Sequence, residues 1–279
     1  MENTNTKTVL FITGAFVNSH CWDEWKAYFE SRGYTCIAPA WPNKDASAGL
    51  LRSRQPNPDI ASNRLEEVIK YYADTISRLP EKPIIIGHSI GGLMAQVLLN
   101  RGQAAAAVAI HSVAPQGIIP TQWSFYRATF AALGFFTSTK KAYMMSFKKW
   151  QYAFTNGMTE QQQREGYERF AIPESKLLLR DGLTKVAKVD YSKAHNPLLI
   201  LAGDADHCVP ASLNKTNFKK YPQNGSITDF KVMPGRNHFV LGQPTWREDA
   251  DYILNWLDKQ MVKGTKSPNR ATLSAGVLN

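Results

Sequence analysis

Three consecutive isoleucines, Ile84-Ile85-Ile86, run directly into Gly87-His88-Ser89-Ile90-Gly91-Gly92, and these into Leu93-Met94-Ala95-Gln96-Val97-Leu98-Leu99. A strand, a G-x-S-x-G turn and a helix without a spacer leave the chain few ways to fold. A serine at so sharp a strand-to-helix reversal takes strained backbone angles, so the residues two positions to either side must be small for the chain to pass itself. Its hydroxyl then projects above the edge of a sheet, and the start of the next helix favours negative charge developing beside it. In this context Ser89 reads as a nucleophile rather than as part of an accidental glycine-rich turn.

The rest of the chain supplies the sheet that such a turn requires. Short apolar runs bounded by Gly, Pro or Asn occur at Val9 to Thr13, Thr35 to Ala38, Ile84 to Ile86, Val108 to Ile110, Leu198 to Ala202 and Ile227 to Met233. Several lack alternation, as strands buried on both faces do. Between them lie helical stretches: Trp22 to Arg32 stops at Gly33, Asp59 to Leu79 stops at Pro80, and Ser89 to Arg101 stops at Gly102, while Tyr252 to Val262 closes the domain. Alternating strands and helices predict an α/β fold, a mostly parallel sheet of at least six strands with helices on both faces.

One segment breaks the alternation. More than 80 residues separate the fourth strand from the fifth, with a helical pattern and no obvious strand, too long for an ordinary connection. The expected organisation is a core of residues 1–114 plus 186–262, a helical lid insert at 115–185 and a flexible tail at 263–279. The insert holds 13 of the chain's 31 aromatic residues; most should pack the insert itself, and together they supply the wall of an apolar pocket.

The net charge of +10 is uneven: 115–185 carries ten Lys or Arg against five acids, and 259–279 carries four basic residues and no acid. No nucleic-acid motif accompanies it. A solvated surface is the plain reading, with docking on a membrane surface through the basic insert and tail as the rival. No apolar run approaches the roughly 18 to 20 residues of a membrane span. The polar start, Met1 to Thr8, carries no export signal, so the cytoplasm is the expected location. Cys21, Cys36 and Cys208 are odd in number and lack metal-ligand spacing, which predicts buried or half-buried thiols rather than disulfides or a zinc site.

With its nucleophile turn and strand-helix order, the chain resembles the α/β-hydrolase superfamily over nearly all of residues 8 to 260. The resemblance implies catalytic parts in the order serine, acid, histidine. Gly203-Asp204-Ala205-Asp206-His207-Cys208-Val209-Pro210 is similar to the family's G-x-x-D-x-x-V-P turn, which assigns the acid to Asp206 and leaves Asp204 as a turn-capping residue. Pro234-Gly235-Arg236-Asn237-His238-Phe239 is similar to the loop bearing the base, His238. Of the other histidines, His88 packs or bonds within the turn, His20 and His111 lie near strand ends within reach of the cleft, and His195 and His207 read as loop residues. The pairing has a chemical reason: a serine hydroxyl is a weak nucleophile near neutral pH, so an imidazole must take its proton and a carboxylate must hold the imidazole's tautomer.

The resemblance also implies an oxyanion hole. In Phe11-Ile12-Thr13-Gly14-Ala15-Phe16, Thr13 replaces the family's usual histidine and Gly14 is kept. The implied donors are the backbone N–H groups of Ala15 and Ile90, with Phe16 as the alternative to Ala15. A serine nucleophile sets aside haloalkane dehalogenases and epoxide hydrolases, which use aspartate, and no HGGG loop precedes the turn. The expected activity is cleavage of a small or medium apolar carboxylic ester, lactones and thioesters included, through an acyl-enzyme. Phe16, Trp123, Phe125, Phe135 and Met144 are the expected substrate-binding residues. No metal or organic cofactor is implied, and the expected partner is a small molecule. Rivals with the same triad are a C–C bond hydrolase, a hydroxynitrile lyase and a cofactor-free haloperoxidase-like enzyme; a non-catalytic ligand-sensing relic is a rival of another class.

Overall fold

The computed structural model describes residues 6–264. Its centre is a six-stranded, wholly parallel sheet of β1 (Thr8–Ile12), β2 (Thr35–Ile37), β3 (Ile84–His88), β4 (Ala106–Ile110), β5 (Leu198–Gly203) and β6 (Thr228–Met233), in the order β2-β1-β3-β4-β5-β6. Strands β3, β4 and β5 are buried at every residue, which is why their sequences show no alternation, whereas edge strand β6 alternates. The chain moves outward from β1 to β2 and returns on the other side of β1 to form β3. The crevice above β1 and β3 is thus a topological switch point, the place where open α/β sheets gather ligands at the carboxyl ends of their strands.

Local register puts the chemistry there. Ile12 lies abreast of Gly87, His88 abreast of Ile110, and Gly203 abreast of Met233. The loops after β1, β3, β4, β5 and β6 therefore leave the sheet at one edge. At the turn after β3, Ser89 takes φ 56° and ψ −121° before the helix Ile90–Asn100 begins. The backbone is crowded there: a Cβ on Gly91 would lie 2.3 Å from the Ile12 carbonyl oxygen, and one on Gly87 would lie 2.1 Å from the Gly91 carbonyl oxygen.

The expected helix at Asp59 to Leu79 is broken in two, Pro58–Ser62 and Leu65–Ile76. Asp181, far away in sequence, makes the break: its carboxylate accepts from the Leu65 N–H at 3.1 Å and holds the Arg64 guanidinium in two bonds of 2.7 and 2.6 Å. Ser175 Oγ donates into the same break, within reach of the Ala61 and Asn63 carbonyls. A periodic pattern cannot reveal a break whose capping carboxylate comes from a different segment. The short helix Ala48–Ser53 also lies outside the sequence expectation.

Four helices, Trp123–Leu133, Phe147–Ala153, Glu160–Phe170 and Lys176–Asp181, lie between β4 and β5, over the carboxyl edge of the sheet. The final helix runs Trp246–Gly264, starting a turn and a half before the expected position; most of the expected tail, 265–279, lies outside the described residues. Among the described residues no helix is long and apolar enough to cross a membrane.

The crowding at the turn generates a stability test. Gly91→Ala should destabilise the protein by at least about 2–3 kcal/mol, because backbone rather than a side-chain tip must give way. Gly49→Ala, on an exposed helical turn with nothing within 4 Å of the added carbon, should gain up to about 0.5–1 kcal/mol. Urea unfolding of the two variants beside the parent checks both signs.

Candidate active site

Ser89, at the end of β3, presents its Oγ to His238 Nε2 at 3.0 Å. His238 comes from the loop after β6, and its Nδ1–H donates to Asp206 Oδ2 at 2.7 Å. Asp206 stands after β5, and its other oxygen, Oδ1, accepts the Cys208 and Val209 N–H groups at 2.7 Å each. A carboxylate only accepts, so the proton of the Asp206–His238 bond sits on Nδ1, and Nε2 is left with a lone pair facing the serine hydroxyl. The two side chains are fully buried. Burial alone would push Asp206 up, but the His238 and His111 rings outweigh it and hold the carboxyl well below the usual range. Burial likewise opposes a charge on His238, yet the adjacent Asp206 carboxylate outweighs it and pushes the imidazole up to about 10. The Cys208 thiol lies beside His238 as well.

Gly14 brings the loop after β1 against the serine. A Cβ there would lie 2.9 Å from both Ser89 Cβ and His88 Nδ1. Of the implied oxyanion donors, Phe16 N–H is committed to Glu174 Oε2 at 3.3 Å. Among the described residues the Ala15 N–H has no protein acceptor, and Ile90 N–H is one of the unpaired donors of a helix start. Phe16 itself has a φ of +68°, rare for so bulky a residue. Its carbonyl accepts from the Ile172 N–H at 2.9 Å, and Val17 forms an antiparallel bridge with Ala171. Glu174 is wholly buried, takes Lys44 Nζ at 2.5 Å, and itself forms a second antiparallel bridge, with Tyr143. Burial pulls the Lys44 ammonium below its ordinary value, against the pull of Glu174.

A cavity of about 510 Å³ opens from Ser89, His238, Ala15, Phe16 and Ile90 among the helices between β4 and β5, a size suited to a small molecule. One wall is the helix Trp123–Leu133, which turns Phe125, Ala128, Thr129, Ala132 and Leu133 inward at helical spacing. Of the residues named from the sequence, Phe16, Phe125 and Phe135 line the cavity; Trp123 and Met144 do not. Trp123 starts the helix on its outer face and is 76% exposed. Met145 takes the place expected of Met144, because neighbours in extended chain point to opposite sides.

Asp204 caps the turn, accepting the Gly235 N–H at 2.6 Å. His88 does not bond within its own turn: its Nε2–H donates to the His238 carbonyl, 150 positions on, at 2.9 Å, and burial with the neighbouring His238 and His111 holds it well below the ordinary imidazole value, hence neutral. His20 lies outside the site, at the surface on Asp23. His111 does more than approach the cleft: its Nδ1 lies 2.8 Å from Asp206 Oδ2, the oxygen that His238 also uses. His111 directly follows β4, where site residues gather, but the spacing does not disclose its partner. Glu174 gave no signal, since Lys44 lies 130 positions away. Donor atoms of His111, Asp206 and His238 fall within 4.8 Å of one another, close enough to be ion ligands; the same Nδ1 atoms are engaged with Asp206, and those hydrogen bonds account for the cluster's geometry.

Chemically, the arrangement couples a hydroxyl to a base and an anion, beside two unpaired amides and an apolar cavity. Comparison with solved structures finds related architectures over most of the chain. A monoacylglycerol lipase of Paleococcus ferrophilus is 19% identical, with a TM-score of 0.64 over 91% of this chain and 94% of that one. A pyrethroid hydrolase from Sphingobium faniae JZ-2 is 17% identical, with a TM-score of 0.63 over 90% and 97%. A methylesterase from Arabidopsis is 15% identical, with a TM-score of 0.64 over 90% and 99%. At these identities the likeness concerns the fold. Comparison with curated protein sequences gave no match. The sequence model of the Alpha/beta hydrolase family matches residues 9–250, and with that span, the parallel sheet and the turn at Ser89, the chain belongs to the alpha/beta hydrolase family.

Proposed function

We propose that the protein is a serine hydrolase that cleaves a small or medium apolar carboxylic ester through an acyl-enzyme. The observation that carries this reading is the continuous hydrogen-bonded chain from Ser89 Oγ through His238 to Asp206, opening on an apolar cavity. Ser89 Oγ attacks the carbonyl carbon while its proton passes to His238 Nε2, and Asp206 stabilises the imidazolium. The Ala15 and Ile90 amides receive the oxyanion. His238 then protonates the departing alcohol oxygen, leaving the acyl group on Ser89. Water attacks the acyl-enzyme, gives its proton to His238, and the acid leaves as Ser89 regains the proton. The scheme needs no group beyond the substrate, water and these residues.

Residues 115–185 act in this reading as the cover of the cavity, between core segments 1–114 and 186–262. Their helices supply its apolar wall, and exposed Ile119, Phe130, Phe135 and Leu183 stand at its lining. The names of the structural relatives, a monoacylglycerol lipase, a pyrethroid hydrolase and a methylesterase, support ester cleavage as a class.

Four outcomes test the proposal. Across p-nitrophenyl esters from acetate to dodecanoate, kcat/KM should peak at one chain length and fall by at least about 10⁴-fold in Ser89→Ala; failure on every ester, with Ser89 still labelled by a fluorophosphonate, would turn the assignment towards C–C or lyase chemistry. Phe125→Ala should move the peak to longer chains, each additional buried methylene being worth about 0.8 kcal/mol. Only a neutral His238 can take the Ser89 proton, so raising its pKa moves the required form to higher pH. The log of kcat/KM should therefore rise with pH through a limb above about 6.5, the ordinary imidazole value. Asp206→Asn removes the charge that pushes His238 up, so the limb should drop and kcat should fall by about 10⁴-fold.

A further inference from the structure

We propose that His111 is a positioning residue for Asp206, a second histidine that fixes the carboxylate and tempers the basicity of His238. The inference rests on the Ser89–His238–Asp206 reading given above. Its basis is a shared oxygen: Asp206 Oδ2 receives His238 Nδ1 at 2.7 Å and His111 Nδ1 at 2.8 Å, while Oδ1 is filled by two backbone amides. The carboxylate therefore has four donors, and neither oxygen can turn without losing two of them.

His111 is held as firmly as the group it holds. It is wholly buried, its N–H donates to the Leu201 carbonyl at 2.7 Å, and its φ is +46°. A Cβ on Gly203 would lie 2.4 Å from its Cε1, so only glycine at that position admits the ring. A side chain in a sparsely populated backbone conformation persists where its surroundings over-determine it, and such residues cluster at functional sites. With Asp206 accepting, the His111 proton lies on Nδ1. Its Nε2 is buried and has no hydrogen-bond partner among the described residues. That face of the ring therefore meets no donor or acceptor, and Asp206 is its one polar partner.

The electrostatic consequence follows from the shared oxygen. The positive end of the His111 N–H dipole points at Oδ2, beside the place where charge develops on the His238 ring. It lessens the pull of Asp206 on the imidazolium, so His238 is less basic than it would be with Asp206 to itself. Other groups face this pair from the surrounding elements. His88 lies at the end of β3 with its ring 4.8 Å from His238 and 6.3 Å from His111. Cys208, from the loop after β5, is beside His238. Arg236, from the loop after β6, packs at Gly203 and pairs through Nε with Asp249 of the last helix at 2.7 Å, and Asp249 lies within electrostatic reach of the His111 ring. All of these remain when His111 alone is replaced.

The experiment compares full-length parent, His111→Leu, His111→Asn and Ser89→Ala, using pH profiles of kcat/KM on the best p-nitrophenyl ester. Asn offers an N–H donor near the place of the imidazole Nδ1–H. In His111→Leu the rising limb should move up by about one pH unit, and kcat should fall by about 10- to 100-fold as Asp206 loses its hold. His111→Asn should return the limb to its parent position and most of the rate. A folded Leu variant with the parent's limb overturns the proposal, as does an equal loss in Leu and Asn variants without movement of the limb, which marks a purely structural residue. Proton NMR gives a reading that survives if the Leu variant fails to fold. The parent should show two strongly downfield imidazole N–H resonances, and His111→Asn should lose one and shift the other; one resonance in both proteins overturns the inference. Full activity in Ser89→Ala would instead sink the triad reading itself.

Discussion

The close approach of backbone to backbone at the turn after β3 is the constraint on which the site depends. Gly87 and Gly91 leave no room for a side-chain carbon against Gly91 and Ile12 respectively. That contact draws the loop after β1 against Ser89, so the turn and the unpaired Ala15 amide occupy one place. Ser89 bears its positive φ because its N–H donates to Ile110 O at 2.9 Å and its carbonyl accepts from Val113 at 3.1 Å, tying the turn to β4 on the other side. The strain is held in the backbone, where a mobile side chain cannot relax it.

Charge is managed around one carboxylate. Asp206 is out of reach of water, and an isolated anion there would cost far more than the fold could supply. Four donors, two backbone and two imidazole, replace its hydration. The same donors orient it, so satisfying a buried anion and aiming His238 at Ser89 are one structural act. Glu174 repeats the device nearby: a buried carboxylate with Lys44 for charge and the Phe16 and Ser175 amides for hydrogen bonds. Through it, the segment after the helix Glu160–Phe170 is pinned to the loop after β1. The helices that wall the cavity are thereby tied to the loop that bears the Ala15 amide.

Much of this was legible in residue order. The six strands, their parallel arrangement and the position of Ser89 at a strand end follow from apolar runs, turn residues and a local motif, whereas Asp206 and His238 were picked out by the resemblance of their turns to those of the family. The break at Asn63-Arg64 was not legible, because the helical period continues across it and Asp181 caps it from elsewhere. Trp123 and Met144 could not be separated from true cavity residues, since composition marks an aromatic or apolar side chain without saying which way it points. His111 stood at a strand end in plain view, but its bond to Asp206 spans 95 positions.

The sequence by itself determined the α/β class and the sharp strand-to-helix turn at Ser89, because both depend on neighbours along the chain: periodicity, glycine spacing and the immediate succession of strand and helix. Tertiary structure alone decided that Asp206 serves two histidines, that Phe16 gives its amide to Glu174 rather than to the cavity, and that one face of the helix Trp123–Leu133 makes the cavity wall. These features arise between residues far apart in sequence. Their physical cause is the need to satisfy every buried polar group with whatever the folded chain brings near, which no local pattern records.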